Sequence, residues 1–496
     1  MNTRLSSAVV AIVACAGLAA CGQKPGIETA VPAGGFVAVD GSVVDSQGNV
    51  VDPATGTAID SSGGSGGDFG SVGGSTGGST SSGSSGGSGG SGGSGTTTSG
   101  GSGSSGGSTG GGEQPQTTGG GSAPAAPSGG GDTTGVTDST IKIGVHAPVT
   151  GAAAVPQSSF ERAVGVYFKA INNAGGINGR KIEVFFEDDQ FRPDVARVKC
   201  KEMAEQEEVF LLIGGAGADQ IDACARYADS VGVPYISAGV HQNRPGQVPL
   251  GDLSTYFAVS LSYEQQVPML ANLYKERLAG KKVVVITADN DSLNDFHSGA
   301  ESALKSAAGG AFQYAARIPK NTQSEALSIG TRICNAGAEA VIWNASPSTL
   351  LNVSKSMVCT PTFIGPGLTN GLNIVAAAGC PNIDNSYFYS TFPGMDVMRR
   401  NADFVRDYRS ANNAEPDDIG AAIYGIEKVV VAMIAAAGKD LSRESLSAAI
   451  ANKKVFNTGV LPPTNFTSRF GGTAMHLLQV DCAKREYVTV RQNERP

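Results

Sequence analysis

The stretch from Ile141 to Gln190 constrains this chain most, because it spells out one complete supersecondary unit. Ile141, Ile143 and Val145 read as a short strand bounded by polar and turn residues. Phe160, Ala163, Val164, Tyr167, Phe168 and Ile171 then recur at spacings of three and four, which predicts an amphipathic helix over 160–171. Gly175, Gly176 and Gly179 end it, since glycine takes positive φ at little cost. Ile182, Val184, Phe185 and Phe186 make a second strand that closes on Glu187, Asp188 and Asp189. Strand, helix and strand joined by short turns form a βαβ unit with a parallel sheet and a right-handed crossover.

The residues of this unit carry a family resemblance. PVTG after the first strand, the NNAGGINGRK turn and the EDDQ strand end resemble type 1 periplasmic binding proteins. Within that family the chain is most similar to the branched-chain amino-acid group, the substrate-binding lipoproteins of ABC importers. The resemblance runs from about Ile141 to the C-terminus, and AGGINGRK is its most specific part.

Composition splits the 496 residues sharply. Most of the 70 glycines precede residue 132, leaving a globular part of about 360 residues, enough for two lobes. A net charge of −8 and a pI near 5.2 argue against a nucleic-acid partner, which needs a basic face. No apolar run is expected to span a membrane after processing.

Residues 1–20 combine Arg4, an apolar core over 8–16 and small residues before Cys21, which reads as a signal peptide. Leu18-Ala19-Ala20-Cys21 resembles a bacterial lipobox, and the resemblance implies that Cys21 is the lipidated mature N-terminus and ties the protein to the membrane. Residues 21–135 form a low-complexity segment, almost pure Gly, Ser and Thr after Asp60, expected to be a disordered tether. Its 110 residues from Gly22 to Gly131 would span roughly 55–60 Å as a Gly-rich coil. VVDSQGNVVD and PATGTAID suggest a short hairpin around Gly48.

Beyond Gln190, helices and strands alternate regularly, predicting an α/β fold with parallel sheets. The resemblance implies two Rossmann-like lobes joined by a three-crossing hinge near 257–260, 389–393 and 455–458. Lobe 1 is then 139–257 with 391–455, and lobe 2 is 258–390 with 456–496. Ligands sit beyond the carboxyl ends of strands in such sheets, so facing lobes share one cleft.

Six cysteines remain after Cys15 and Cys21: Cys200, Cys224, Cys334, Cys359, Cys380 and Cys482. An even number in an exported chain points to disulfides. The resemblance implies a Cys200–Cys224 bridge; Cys334–Cys359 and Cys380–Cys482 are two guesses among the 15 possible pairings.

Enzyme and metal motifs are missing from the sequence. GGINGRK lacks phosphate-loop spacing, GGAGAD misses G-x-G-x-x-G, and there is no G-x-S-x-G elbow. The four histidines are scattered, so neither a metal nor a cofactor is expected. Glu187, Asp188 and Asp189 are expected to form a strand-end loop held by helix N-termini and water.

A ligand site is therefore sought in strand-end loops. In lobe 1 these are Gly151 and Ala152, then Ala216, Gly217, Ala218 and Asp219, then Ser237, Ala238, Gly239 and Val240. The middle loop precedes a helix whose N–H groups attract a carboxylate. In lobe 2 the candidates are Asp291, Leu293, Asn344, Ser346, Gly367 and Leu368. By the resemblance, the family's carboxylate-gripping Ser and Thr are replaced here, its Tyr-Gly reads Leu293-Asn294, and its ammonium-pairing Glu falls at Gly367. An ammonium buried without a counter-charge is costly, so a ligand without the amino group fits better: a short carboxylate, an amide or an aromatic acid. Asp289, Asp291, Asp295 or Asp219 are the acids that would replace the lost Glu. The resulting expectation is a non-enzymatic solute-binding lipoprotein presenting a small ligand to an ABC importer permease. A ligand sensor and a surface interaction protein with a decayed cleft are the alternatives.

Overall fold

The computed structural model describes residues 131–151, 157–237, 246–320 and 323–496, with three two-residue strands between 36 and 51. Those strands, β1 (Phe36–Val37), β2 (Val43–Val44) and β3 (Val50–Val51), pair antiparallel, Val44 opposite Val50. The signal segment, Cys21, most of 21–135, and the candidates Ala152, Ala238, Gly239 and Val240 lie outside the described residues.

The opening βαβ unit builds the first sheet. β4 (Thr140–Ala147) leads through helices α1 (Gln157–Ala163) and α2 (Val166–Asn173) to β5 (Lys181–Asp188). α3 (Pro193–Glu205), β6 (Leu211–Gly214), α4 (Ala218–Ser230), β7 (Tyr235–Ser237) and β8 (Tyr256–Ala258) follow. The strands run parallel in the order β5-β4-β6-β7-β8, with Ile143 of β4 between Val184 and Leu211. Their apolar residues serve both faces, as a covered parallel sheet requires. Leu211 and Ile213 join the core that includes Ile141 and Phe168, whereas Leu212 packs with Cys200, Met203 and Cys224 of α3 and α4. The Cys200–Cys224 disulfide fastens those two helices together.

The helix predicted over 160–171 is two helices. Gly165, at φ 84°, breaks the run, and the buried Glu427 carboxylate accepts from the Gly165 and Tyr167 N–H groups at 2.5 and 2.8 Å. A carboxylate oxygen thus supplies the helix start that no local side chain provides.

A second series gives α5 (Tyr263–Arg277), β9 (Val283–Ala288), α6 (Asn294–Ala308), β10 (Phe312–Ile318) and α7 (Ala326–Asn335). It continues through β11 (Ala340–Asn344), α8 (Pro347–Ser356), β12 (Thr362–Pro366), α9 (Asn373–Gly379) and β13 (Tyr387–Ser390). Here too alternation decides the packing. Val283 and Val285 meet Leu270, Phe296 and Leu304 of α5 and α6, while Val284, Ile286 and Trp343 join Ile333, Leu350 and Val353 of α7 and α8.

The chain then leaves this sheet for α10 (Met395–Met398), α11 (Ala402–Asn412), α12 (Asp418–Ala437) and α13 (Arg443–Lys453). α12 packs on α1 and α2, and Arg443 donates to the Val209 and Phe210 carbonyls beside the first sheet. By length and composition α12 is apolar enough to cross a membrane, which corrects the expectation of no such run. It is a core helix: Val429, Val430 and Ile434 are at most 1% exposed, each burial contributing about 1.5–3 kcal/mol.

After β14 (Val455–Phe456) and β15 (Thr464–Asn465), β16 (Met475–Asp481) and β17 (Glu486–Glu494) return to the second sheet, in the order β10-β9-β11-β12-β13-β16-β17. β16 pairs antiparallel with β13 and β17 antiparallel with β16, so the parallel-dominated sheet that the sequence predicts ends in an antiparallel edge. A hairpin closes with a few turn residues where a parallel pairing needs a crossover. Bridges Cys334–Cys359 and Cys380–Cys482 complete the disulfides, the second fixing the end of α9 to the residue after β16.

Candidate functional site

The carboxyl ends of the two sheets face one cavity of about 340 Å³. Its wall is made of residues that follow strands: 191–194 after β5, 216–220 after β6, Lys320 after β10, Ser346 after β11, and Leu368 to Asn370 after β12. This is where open α/β sheets place ligands.

Asp219, in the first turn of α4, is 7% exposed and joins the two walls. Its carboxylate accepts from Ser292 Oγ at 2.6 Å, Asn290 Nδ2 at 3.0 Å and Lys320 Nζ at 2.7 Å, all from the opposite sheet's loops. Asn290 is itself fixed, because its Oδ1 accepts from the Ser292 N–H at 2.9 Å and caps the 3-10 turn Asp291–Leu293. A buried carboxylate becomes acceptable when its oxygens are filled this way. Arg192 and Asp194, also on the wall, pair with each other and are more than half exposed.

On the second-sheet side, Ser346 caps α8 by accepting from the Thr349 N–H at 3.2 Å. Asn344 ends β11, and Asn370 Nδ2 donates to the Ala345 carbonyl at 3.0 Å, tying Asn370 to the residue that follows Asn344. Tyr487 OH, reaching from β17, donates to the Asn370 carbonyl at 2.7 Å.

Beside the cavity lies an apolar chamber of about 80 Å³. The two share Ala216, Leu368 and Thr369, and Phe160, Leu372, Phe392 and Ile423 line the chamber further in. His146 stands at its wall with no exposed surface. Its Nδ1 bonds Asp189 Oδ2 and its Nε2 bonds Tyr235 OH, both at 2.8 Å. Burial, then the neighbouring Tyr256 and Asp189, hold the Tyr235 phenol well above its ordinary pKa, so it stays protonated. The Sγ atoms of Cys200 and Cys224 also lie near His146, but they form a disulfide and offer no thiolate, so no metal centre arises there.

The acidic strand end is held differently from the expectation. Asp188 accepts from the Val149 and Thr150 N–H groups and from Thr150 Oγ1, and Glu187 pairs with Lys199 at 3.0 Å. Burial alone would raise the Asp188 pKa, but those hydrogen bonds prevail and lower it.

Of the candidate residues, Ala216, Gly217, Ala218, Asp219, Leu293, Asn344, Ser346 and Leu368 come together on the cavity wall. Four others do not. Gly151 is an exposed turn residue at φ 88°, and Asp291 is exposed on its 3-10 turn. Ser237 is buried with its hydroxyl on Tyr256 OH at 2.7 Å. At Gly367 a Cβ would come within 2.8 Å of the Tyr389 carbonyl oxygen, so the backbone there is packed too closely for an acid. Among the alternative acids, Asp219 is the one on the wall, and Asp289 sits 3.9 Å from Arg317 with its side chain 71% exposed. Sequence reasoning passed over Arg192, Asn290, Lys320 and Asn370, although each follows a strand and the strand-end rule reaches them.

Comparison with known proteins agrees with this geometry. The family model described as periplasmic binding protein matches residues 140–485. A Pseudomonas aeruginosa protein described as an amino acid binding protein is 30% identical over 146 residues, 29% of this chain, and the match spans 38% of that relative's length. The branched-chain amino acid transporter substrate-binding protein of Streptococcus pneumoniae, solved with isoleucine, superposes with a TM-score of 0.58 at 21% identity, over 71% of this chain and 99% of that one. The fatty acid ABC transporter substrate-binding protein of Thermomonospora curvata gives 0.61 at 18% identity, over 75% and 96%. With the strand-end cavity between two α/β sheets and a family match over most of its length, the chain belongs to the periplasmic binding protein family.

Proposed function

We propose that this chain is an extracytoplasmic, lipid-anchored solute-binding protein that captures a small polar ligand in the interlobe cleft and delivers it to an ABC importer. The observation that carries the reading is the cavity between the carboxyl ends of two sheets, spanned by Asp219 to Ser292, Asn290 and Lys320. The lobes are 139–257 with 391–455 and 258–390 with 456–496, and rotation about the crossings opens and closes the cleft. The relatives support a transport role: the S. pneumoniae protein holds isoleucine, and the T. curvata protein is named for fatty acid transport. Cys21 carries the lipid anchor, residues 21–135 are the tether, and no catalytic step is involved.

A thermal-shift screen of the protein against amino acids, short organic acids, amides, aromatics and sugars tests the binding role. A ligand at a hundred times its Kd adds about 2.7 kcal/mol of stability. A panel without any shift would remove the solute-binding reading. Labelling with an alkyne fatty acid tests the anchor: the expected signal is present in the wild type and absent in Cys21→Ser.

A further inference from the structure

Two asparagines give the cleft chemistry that its charged groups do not. Asn370 is 3% exposed; with Nδ2 donated to Ala345, its Oδ1 is a buried acceptor without a partner. Asn344 is 6% exposed, and its Nδ2 is a buried donor without a partner. Both residues line the cavity, and Ala345, whose carbonyl accepts from the Asn370 amide, directly follows Asn344. Buried amide atoms left in this state call for a partner that brings the complementary groups.

The charges on the wall are already matched. Among the described residues that line the cavity, Lys320 is paired with Asp219 and Arg192 with Asp194. An ammonium or a carboxylate entering this corner would displace an existing pair to find its counter-ion. The apolar chamber beyond Leu368 adds room for a compact hydrocarbon group.

We propose that the ligand is uncharged at its polar end: a carboxamide whose carbonyl accepts from Asn344 Nδ2 and whose N–H donates to Asn370 Oδ1, with a small apolar body in the side chamber. This rests on the solute-binding reading above and names the ligand class for that cleft. An amide satisfies one donor and one acceptor at once without bringing charge into a low-dielectric site.

The test is calorimetric titration of the full chain with benzamide, benzoate, benzylamine and acetamide. Benzamide is expected to bind at least tenfold tighter than benzoate and benzylamine, and also tighter than acetamide, which lacks the apolar body. Asn370→Leu should weaken benzamide at least tenfold. Asn344→Asp, which keeps the shape of the side chain, should move the preference to benzylamine and stands as the test if Asn370→Leu does not fold. Benzoate or benzylamine equalling benzamide on the wild type, or benzamide binding unaltered by Asn344→Asp, would overturn the amide assignment. If an amino acid or a carboxylate from the wider screen binds instead, the amide assignment falls and the solute-binding reading stands. If no small molecule binds, both fall together.

Discussion

Two buried acidic side chains in different regions are stabilised by opposite means. Asp219, at the cleft, is met by a lysine, an amide and a hydroxyl from the facing sheet. Glu427, behind the first sheet on α12, is 1% exposed and held by the backbone N–H groups at the start of α2. Burial raises the Glu427 pKa to about 8 against the lowering by those N–H groups, so this acid is largely protonated at neutral pH. In the proposed opening and closing of the cleft, a carboxylate that shares its charge across it belongs to a contact that is broken and remade. One that sits neutral behind a sheet belongs to the permanent frame.

The largest effect should come from removing the frame acid. Glu427→Ala leaves the Gly165 and Tyr167 N–H groups without their acceptors, with an expected loss of about 2–4 kcal/mol in urea unfolding. Titration gives the next effect. The folded pKa of Glu427 is raised, so the folded state holds the proton that the unfolded state releases above about 4.5, and stability falls as pH rises from there through about 8. Burial lowers the His476 pKa to about 4, so between that value and 6.5 the unfolded state binds the extra proton and stability rises with pH. The two oppose each other below pH 6.5. From there to 8 the Glu427 slope, up to about 1.4 kcal/mol per pH unit, should emerge and vanish in Glu427→Gln. A slope unchanged in that variant would place the titration elsewhere.

At the cleft the effects should be smaller. A double-mutant cycle over Asp219→Asn and Lys320→Met should give a coupling of about 0.5–1 kcal/mol, reduced because the lysine side chain is half exposed. The same variants should change ligand affinity more than they change the melting temperature, whereas the Glu427 variants should do the reverse. Least of all, Arg192→Gln should leave stability unchanged within error, since its Asp194 partner is exposed as well. A large loss there would mean that the outer pair also fixes the stretch between β5 and α3 in place.

The same contrast marks how far the sequence could be read. The βαβ unit and the strand-end loops are legible because alternation and helical spacing are local patterns, and they locate Ala216 to Asp219, Asn344 and Leu368 around one cavity. What Asp219 does there is not local. Lys320 is 101 residues away, and their meeting depends on how two sheets face each other. The break at Gly165 escaped for a similar reason: the spacing of apolar residues continues through it, and the capping oxygen comes from 262 residues further on. His146 and Asp189 read as a scattered histidine and one of three acids, because only the register of β4 against β5 brings them together. The reversed β16 carries the same apolar signature as a parallel strand, and strand direction is not written in alternation.

The Cys380–Cys482 bridge spans 102 residues, and everything between β13 and β16 lies inside the ring that it closes. That ring contains the helices that leave for the first sheet and the segments that go out and return. A protease that cuts one peptide bond anywhere in this excursion therefore yields two fragments that still travel as one molecule on a gel without reductant. They separate only when a thiol is added, so the apparent resistance of these segments to nicking will depend on the redox state of the sample.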